Sequence, residues 1–526
     1  MSNSKTRSIS MQDLVQTGWN RPWVLSAMSA IFLSLSFPPF DAAILQLPAL
    51  IFLFRISILA KTKGELFRYT YPCFVLWNLF TTYWLMMASI PAGIAAILAN
   101  ALLMVIPLLL IRYLLRSGLH PWPASILVAS VWTTYEFLHH NWDLSWPWLT
   151  LGNAWSNLTP IIQFISVTGV LGISFWVLLT STLFFFAIER SLSKKWLITG
   201  IALLLLLPVV SLISYSTYQA DRADPVEVAI IQPNSDSYEP YGGHSSLRAL
   251  LENLLQLSST VTSGETDLII WPENAVDSAI DANHSFLQVI SDSLNAWDAS
   301  LITGAGFVQF YDESNKPNVY RESSSGSFYN VYNSALYLTP EEPLSVYKKN
   351  KLVPIVERFP FVDFLEKVDY FNWIDWSSIV GYGRGFAPTL FNVKETATPA
   401  LICYDSVFPG WVNRFVKNGA GFLTIITNDG WWGDSNGHKQ HFAYARLRAI
   451  EQRMWIARSA NNGISGIIGP DGSIIKETEY WTEDAFAHTI YNSDNHTFFS
   501  RFGNWIGYLS LFLSVSGLGW LRFRKD

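Results

Sequence analysis

AGIAAILANALLMVIPLLLIRYLL, residues 92–115, has a single charged side chain, Arg112, and decides the first half of the fold. As an α-helix this segment extends roughly 36 Å, whereas the hydrocarbon core of a bilayer is about 30 Å thick. A helix that is apolar on every face is buried in a large core or in a membrane. Its length favours the membrane.

The composition supports this interpretation. Charged residues make up 14 % of the 526 residues, against about 25 % in a typical soluble protein. Hydrophobic residues reach 50 %, and 23 residues are tryptophan. The formal net charge is −6, and no block of basic residues suggests a nucleic-acid partner.

Seven apolar stretches long enough, or nearly so, to cross a bilayer precede residue 217, and an eighth lies near the C-terminal end. We place them at residues 22–40, 42–60, 69–89, 92–115, 122–140, 159–188, 196–216 and 504–521. No small-residue cleavage site follows the first stretch, so we expect no cleaved signal peptide.

Basic residues fall before the first stretch, in every second connection and after the last stretch. They include Lys5, Arg7, Arg21, Arg55, Lys61, Lys63, Arg68, Arg112, Arg116, Arg190, Lys194, Lys195, Arg522, Arg524 and Lys525. The connections around 36–42, 89–92 and 137–158 contain no Lys or Arg. The positive-inside rule predicts cytoplasmic termini and an external segment 217–503. Eight buried helices of a soluble protein would not produce this alternation.

Residues 217–503 have a different pattern, in which short apolar runs alternate with helical periodicity, and this predicts an α/β domain. The predicted strands are Val226–Ile231, Leu268–Trp271, Leu301–Gly304, Ala335–Leu338, Ala400–Ile402, Phe422–Ile426 and Ile464–Ile468. The predicted helices are Ser246–Leu257, Ser285–Asn295 and Gln440–Ala457.

Three strand ends carry reactive side chains. Glu273 follows Leu-Ile-Ile-Trp-Pro, Cys403 follows Leu-Ile, and a loop at 347–354 carries three lysines. A Cys at the end of an apolar run, beside amides and a cation, can act as a nucleophile. Each motif alone also fits a structural interpretation: a solvated carboxylate, a basic loop or a buried thiol. The local pattern does not select among the lysines.

Two other features suggest no site of their own. His438 and His441 stand three residues apart without a clear third ligand, so we predict no metal site. Asp434, just before them, is interpreted as a helix cap. The two cysteines, Cys73 and Cys403, lie in different surroundings, and we expect no disulfide.

Taken in order, these motifs resemble the carbon–nitrogen hydrolase (nitrilase) superfamily and, more narrowly, the apolipoprotein N-acyltransferase family. The resemblance covers nearly the whole chain. The motifs that carry it are Trp271-Pro272-Glu273, Lys349–Glu357, Ile402-Cys403-Tyr404-Asp405, Asn428–Asp434, Ser459–Gly463, Ser36–Pro39 and Trp146–Leu149.

The resemblance implies a fold and a location. The fold would be an eight-span α-helical membrane bundle with an α/β nitrilase-like αββα sandwich. Residues 1–216 would form seven transmembrane helices, 217–495 the catalytic domain and 504–521 the eighth helix. The location would be a bacterial inner membrane, with the domain in the periplasm.

The resemblance also implies a triad and its supports. Glu273 would be the base, Cys403 the nucleophile, and Lys349, three residues before Leu352 and eight before Glu357, the cation that stabilises the oxyanion. The supporting residues would be Glu357, the backbone N–H of Tyr404, Asp405, Tyr241 and Trp148. Three departures concern these supports: Ile355-Val356-Glu357 replaces a common Phe-Gly-Glu, Asp405 replaces a Glu, and Tyr241 stands in for a loop Trp.

The implied reaction is acyl transfer through a thioester, from a membrane phospholipid to the lipidated N-terminal cysteine of an apolipoprotein. No cofactor or metal is implied, and a monomer is the default expectation. The competing hypotheses are a membrane-anchored amidase and a non-catalytic scaffold or transporter. Residues 359–376 would be a lid or membrane-dipping arm, or else a core segment of the domain. Glu136 would lie at a lipid entrance or at the membrane interface.

Overall fold

The computed structural model describes residues 20–189, 194–340, 342–368, 374–494 and 496–523. Several basic residues of the sidedness prediction, and both chain ends, lie outside these residues. The basic residues concerned are Lys5, Arg7, Arg190, Arg524 and Lys525.

Within this part of the chain, a helix lies at each of the eight predicted span positions. The helices are α1 (Pro22–Ser36), α2 (Gln46–Leu59), α3 (Lys63–Thr82), α4 (Ile90–Leu115), α5 (Pro121–His139), α6 (Val170–Glu189), α7 (Lys194–Thr217) and, after the α/β domain, α12 (Trp505–Phe523). Short helices, Leu85–Ala88 and Ile165–Thr168, lie between them.

Four of these helices, α4, α6, α7 and α12, have both the length and the apolar composition of a membrane span. Helices α1 and α2 are apolar but shorter. Helices α3 and α5 have 20 and 19 residues but carry more polar side chains. Among the described residues, helix length and composition therefore support four membrane spans and not the predicted eight.

Several predicted bounds differ from the structure, and three of them have a clear local cause. Helix α1 ends at Ser36, because Pro38 and Pro39 cannot continue it. Helix α3 begins at Lys63 instead of 69, where the Thr62 hydroxyl caps it by accepting the N–H of Glu65. Helix α6 begins at Val170 instead of 159, because Gly169 interrupts the helix with φ 66°.

The α/β domain contains two β-sheets and a small β-pair. The strands are β1 (Pro225–Gln232), β2 (Leu268–Ile270), β3 (Val276–Ile280), β4 (Ser300–Tyr311), β5 (Arg321–Glu322), β6 (Phe328–Leu338), β7 (Ser345–Lys348), β8 (Phe391–Val393), β9 (Thr396–Thr398), β10 (Ala400–Ile402), β11 (Leu423–Thr427), β12 (Ile456–Ala460), β13 (Gly466–Ile468), β14 (Ile474–Glu477) and β15 (Asp484–Tyr491). Each of the seven predicted strand runs overlaps one of them.

The first sheet has eight strands in the order β15-β1-β2-β4-β6-β5, with β3 on β4 and β7 on β6. Its centre, β1-β2-β4, is parallel. The second sheet has five strands in the order β10-β11-β12-β13-β14, and its first three are parallel. The remaining strands, β8 and β9, form the separate pair.

The helices cover the sheets to form an α-β-β-α sandwich. They are α8 (Leu247–Val261), α9 (Ser285–Trp297), α10 (Pro409–Lys417) and α11 (Asn436–Gln452), with short helices at Val362–Leu365, Trp376–Ile379 and Phe498–Phe502. Leucines of α8 and α9 share a core with one face of the first sheet. Both sheets, α10 and α11 share another core. The predicted nitrilase-like sandwich is thereby confirmed.

One helix prediction, Gln440–Ala457, was wrong at its end. Helix α11 stops at Gln452, and Arg453 follows with φ 54°. Ile456 and Ala457 belong to β12, which pairs with β11 on one edge and with β13 on the other. Both faces of β12 are buried. A strand buried on both faces has no alternating pattern, so its apolar residues resemble a continuation of the helix.

Candidate active site

A cavity of about 460 Å³ lies where the α/β domain meets the helices of the membrane part. One wall is a face of α4 that carries Ala92, Ala96, Ala99 and Leu103. Glu273, Lys349 and Cys403 also line the cavity. The cavity therefore combines reactive groups with an apolar wall supplied by the membrane part.

The three reactive residues come from strand ends in two different sheets. Glu273 follows β2, Lys349 immediately follows β7, and Cys403 immediately follows β10. Because β2 and β7 belong to the first sheet and β10 to the second, packing of the two sheets brings the residues together. No local sequence pattern could specify this meeting.

Lys349 lies between two carboxylates. Its Nζ donates to Glu357 Oε1 at 2.8 Å and to Glu273 Oε1 at 3.2 Å. The side chain is 1 % exposed. Burial lowers the pKa of Lys349, but the charges of Glu273 and Glu357 outweigh it and hold the pKa well above its usual value. Lys349 is therefore a fixed cation in the cavity.

Glu273 is a buried carboxylate with a complete set of donors. Its Oε1 accepts from Asn333 Nδ2 at 2.8 Å, and its Oε2 accepts the backbone N–H of Asn428 at 3.0 Å. Burial raises the pKa of Glu273, and Lys349 opposes that rise. A carboxyl group with a raised pKa can exchange a proton with substrate near neutral pH.

Cys403 has a strained backbone. Its φ of 45° lies in the left-handed region that residues other than glycine rarely occupy. Its carbonyl accepts the Ser406 hydroxyl at 2.7 Å, and the residue is 8 % exposed. Burial raises the pKa of the Cys403 thiol, and the charge of Glu273 raises it further. The resting thiol is therefore protonated and needs a base before it can attack.

The two residues after the cysteine differ in position. Tyr404 lines the cavity, and its hydroxyl donates to the carbonyl of Ser145 at 2.8 Å. Asp405 is fully buried and accepts the Tyr347 hydroxyl and the Lys351 N–H, both at 2.8 Å. Burial raises the pKa of Asp405 to about 6. Asp405 thus holds the backbone of the loop that carries Lys349, through its bond to the Lys351 N–H.

Glu357 has three donors within the described residues. It accepts from Lys349, from Asn333 Nδ2 at 2.9 Å and, through Oε2, from the N–H of Val353 at 2.7 Å. Where the family often has Phe-Gly, Ile355 adopts φ 71°. That conformation is unfavourable for a β-branched residue, so the loop holds Ile355 in a strained backbone conformation.

Tyr241 is 39 % exposed, and its backbone N–H donates to Asp277. It is not among the described residues around the cavity. Tyr238 of the same loop instead reaches the membrane part, since its hydroxyl bonds to the carbonyls of Trp431 at 2.8 Å and Met87 at 3.2 Å. Sequence reasoning missed Tyr238 because nothing local distinguishes the two tyrosines.

Trp148 belongs to an aromatic cluster beside the cavity, together with Trp84, Trp146 and Trp432. The Trp84 ring lies 4.8 Å from that of Trp148 and 4.6 Å from that of Trp432. Trp148 was predicted from its motif. The motif at 428–434 already contained Asn428 and Trp432, whereas Asn333, in the middle of β6, had no sequence signal.

The two histidines have separate surroundings. His441 Nδ1 lies 2.9 Å from Asp429 Oδ1, and its Nε2 lies 3.1 Å from Ser406 Oγ. His438 stacks on Tyr480, with the ring centroids 4.0 Å apart. Within the described ranges, no group of three His, Cys, Asp or Glu residues could hold a metal ion.

Part of the segment 359–376 is a core segment, its role as a lid or membrane-dipping arm stays a prediction, and residues 369–373 lie outside the described residues. Val362 and Trp376 are buried in a small core, whereas Phe364 is 67 % exposed. Glu136 is buried, and its Oε1 accepts the Leu151 N–H at 2.8 Å. Glu136 is not among the described residues around the cavity, and its position relative to the membrane interface stays a prediction.

Comparisons with known proteins cover both halves of the chain. Residues 29–183 match the profile of the apolipoprotein N-acyltransferase N-terminal domain. Residues 227–493 match the carbon–nitrogen hydrolase profile. Apolipoprotein N-acyltransferase of Chlorobaculum tepidum is 31 % identical over 511 residues, covering 91 % of this chain and 93 % of that protein. Apolipoprotein N-acyltransferase 2 of Treponema denticola is 25 % identical, covering 74 % and 75 %.

Among solved structures, the carbon–nitrogen hydrolase superfamily protein XC1258 from Xanthomonas campestris aligns with a TM-score of 0.35 at 20 % identity. The alignment covers 51 % of this chain and 91 % of that one.

Proposed function

The chain belongs to the apolipoprotein N-acyltransferase family, and we propose that it moves an acyl chain from a membrane phospholipid to the α-amine of a diacylglyceryl cysteine on an apolipoprotein. The observation that carries the proposal is the shared cavity. Glu273, Lys349 and Cys403 face a wall of α4 that is apolar and built largely of small residues. An acyl chain needs such a wall beside the nucleophile, whereas a water-soluble amide does not.

In the first step, Glu273 accepts the proton of the Cys403 thiol, and the sulfur attacks the ester carbonyl carbon of the phospholipid. Lys349 and the backbone N–H of Tyr404 stabilise the negative oxygen of the tetrahedral intermediate. The carbon–oxygen bond then breaks. The lysophospholipid oxygen takes the proton from Glu273, and the acyl chain remains on Cys403 as a thioester.

In the second step, the α-amine of the lipidated cysteine attacks the thioester carbonyl. Glu273 accepts a proton from this amine, and the carbon–sulfur bond breaks to leave an amide. The Cys403 thiolate regains the proton. Glu357 and Asp405 support these steps indirectly, Glu357 by bonding to Lys349 and Asp405 by holding the loop that carries it. Trp148 contributes to the aromatic side of the cavity.

The transfer assay uses purified full-length protein in detergent with a phospholipid whose acyl chain carries an alkyne, and a synthetic diacylated lipopeptide. We expect the tag to move to the lipopeptide in a bond that resists neutral hydroxylamine, as an amide does. Mass spectrometry of the lipopeptide checks the result. Tagged free fatty acid without tagged lipopeptide would favour the competing amidase function, in which water accepts the acyl group.

For the location, we propose eight spans in a bacterial inner membrane, with both termini in the cytoplasm, residues 217–495 in the periplasm and the protein as a monomer. The alternation of basic connections supports this sidedness. The four apolar helices support a membrane location.

Sidedness is tested with single introduced cysteines and a membrane-impermeant maleimide on spheroplasts. Ser325→Cys, in an exposed loop of the catalytic domain, should be labelled from outside. Lys63→Cys, exposed at the start of α3, should react only after lysis. The native protein is the control because Cys73 and Cys403 are both buried. Labelling of Lys63→Cys in intact spheroplasts would reverse the proposed orientation.

A further inference from the structure

Gln440, on α11 of the catalytic domain, is fully buried and makes four hydrogen bonds to the membrane part. Its Oε1 accepts the indole N–H of Trp148 at 2.7 Å and that of Trp84 at 3.2 Å. Its Nε2 donates to the carbonyls of Pro38 at 2.9 Å and Thr81 at 3.1 Å. A side-chain amide has two donors and two acceptor positions, so all four are used.

No other orientation of this amide satisfies its neighbours. Indole N–H groups can only donate, and the two carbonyls can only accept. The four partners come from three separate stretches of the membrane part: the loop after α1, the end of α3 with the loop that follows it, and the loop after α5. Gln440 therefore holds these stretches against α11.

The next residue, His441, connects the same helix to the nucleophile. Its Nε2 lies 3.1 Å from Ser406 Oγ and 3.3 Å from the carbonyl oxygen of Cys403. Its Nδ1 is paired with the buried Asp429. Two consecutive residues of α11 thus contact the surroundings of the reaction site. Gln440 bonds to tryptophans beside the cavity, and His441 contacts Ser406, whose hydroxyl donates to the Cys403 carbonyl.

We propose that Gln440 is a positioning residue that sets the membrane side of the cavity relative to the Cys403 thiol, so that a bound phospholipid ester meets the nucleophile. The inference rests on the proposed function. It identifies a residue on which transfer of the acyl chain from phospholipid to Cys403 depends. An apolar side chain could fill the same space but would leave two N–H groups and two carbonyls without their partner. Displacement of a reacting group by about 1 Å can reduce a rate about 100-fold.

The experiment compares two acyl donors on the purified full-length protein. One is a phospholipid with an alkyne-tagged acyl chain, and the other is 4-nitrophenyl acetate, whose two-carbon acyl group needs no apolar wall. For Gln440→Met, we expect acylation of Cys403 by saturating phospholipid to slow roughly 100-fold. Acetylation should stay within about twofold of wild type, because the triad remains in place. A structural defect alone would slow both reactions.

Gln452→Met is the matched control. Gln452 is also buried on α11, but its amide oxygen accepts from Asn413 within the catalytic domain. We expect it to leave the ratio of the two rates unchanged. If Gln440→Met does not fold, Gln440→Asn provides the test, because it keeps the amide but shortens the side chain by one methylene. It should give the same donor-selective loss.

The proposal is overturned if a folded Gln440 variant retains the phospholipid rate, or if both rates fall in the same proportion. A failure of the proposed function looks different. In that case the wild-type protein would react with 4-nitrophenyl acetate but would acquire no acyl group from the phospholipid.

Discussion

Cys403→Ala should eliminate covalent acylation of the protein by phospholipid. Wild-type protein incubated with an alkyne-tagged phospholipid should acquire a tag that neutral hydroxylamine removes, as expected for a thioester. The variant lacks the sulfur that carries the acyl group. Removing the nucleophile of a catalytic triad typically costs about 10⁶-fold in rate, so we expect no label above background and no transfer to lipopeptide.

Cys73→Ala is the matched control, because Cys73 is the other cysteine of the chain and is buried in α3. It should retain the label, at a modest cost in stability for the lost packing volume. A hydroxylamine-sensitive label on Cys403→Ala, or its loss from folded Cys73→Ala, would place the nucleophile elsewhere.

Lys349→Met should combine a large loss of activity with a large loss of stability. Without Lys349, the oxyanion loses its cation, and loss of one oxyanion donor costs about 100- to 1000-fold in rate. The buried carboxylate of Glu273 and the partly buried carboxylate of Glu357 also lose the charge between them. Removing one partner of a buried ion pair typically destabilises a protein by about 3–5 kcal/mol.

The stability loss of Lys349→Met should depend on pH in a defined direction. Lys349 lowers the pKa of Glu273, whereas burial and Glu357 raise it. In the variant, the folded-state pKa therefore lies still further above the unfolded value. A raised carboxyl pKa destabilises the fold at higher pH and is relieved as the pH falls through it. Thermal unfolding across a pH series should show the variant approaching wild type as the pH is lowered.

The matched control is Lys348→Met, one residue earlier in the chain. Its ammonium group lies over the Tyr332 ring, away from Glu273 and Glu357, and the side chain is partly exposed. We expect little change in acylation rate and no such pH-dependent loss. Equal losses in the two variants would contradict the choice of Lys349 over its neighbour.

Elements with a dense local signal were predictable. The apolar run at 92–115 lies in α4, and Leu268–Trp271 and Ala400–Ile402 mark β2 and β10. Burial of whole segments dictates these patterns, so each can be read within its own residues. The ends of the helices were harder to predict, as the beginning of α6 just after Gly169 and the end of α11 before β12 illustrate.

The sequence by itself determined that the chain has a membrane part and an α/β domain, because hydropathy and strand periodicity are properties of contiguous residues. It also supplied Glu273 and Cys403 as candidates, through their positions at strand ends, and Lys349 through a spacing shared with a family. Only the tertiary structure decided that Asn333 bonds to both Glu273 and Glu357. It also decided that Tyr238 rather than Tyr241 reaches the membrane part. Finally, it showed that Gln440 bonds to four residues of the membrane part, Pro38, Thr81, Trp84 and Trp148. These contacts join residues far apart in the chain, and a hydrogen bond across a packed interface depends on how whole elements dock, which leaves no periodic trace in either partner's local sequence.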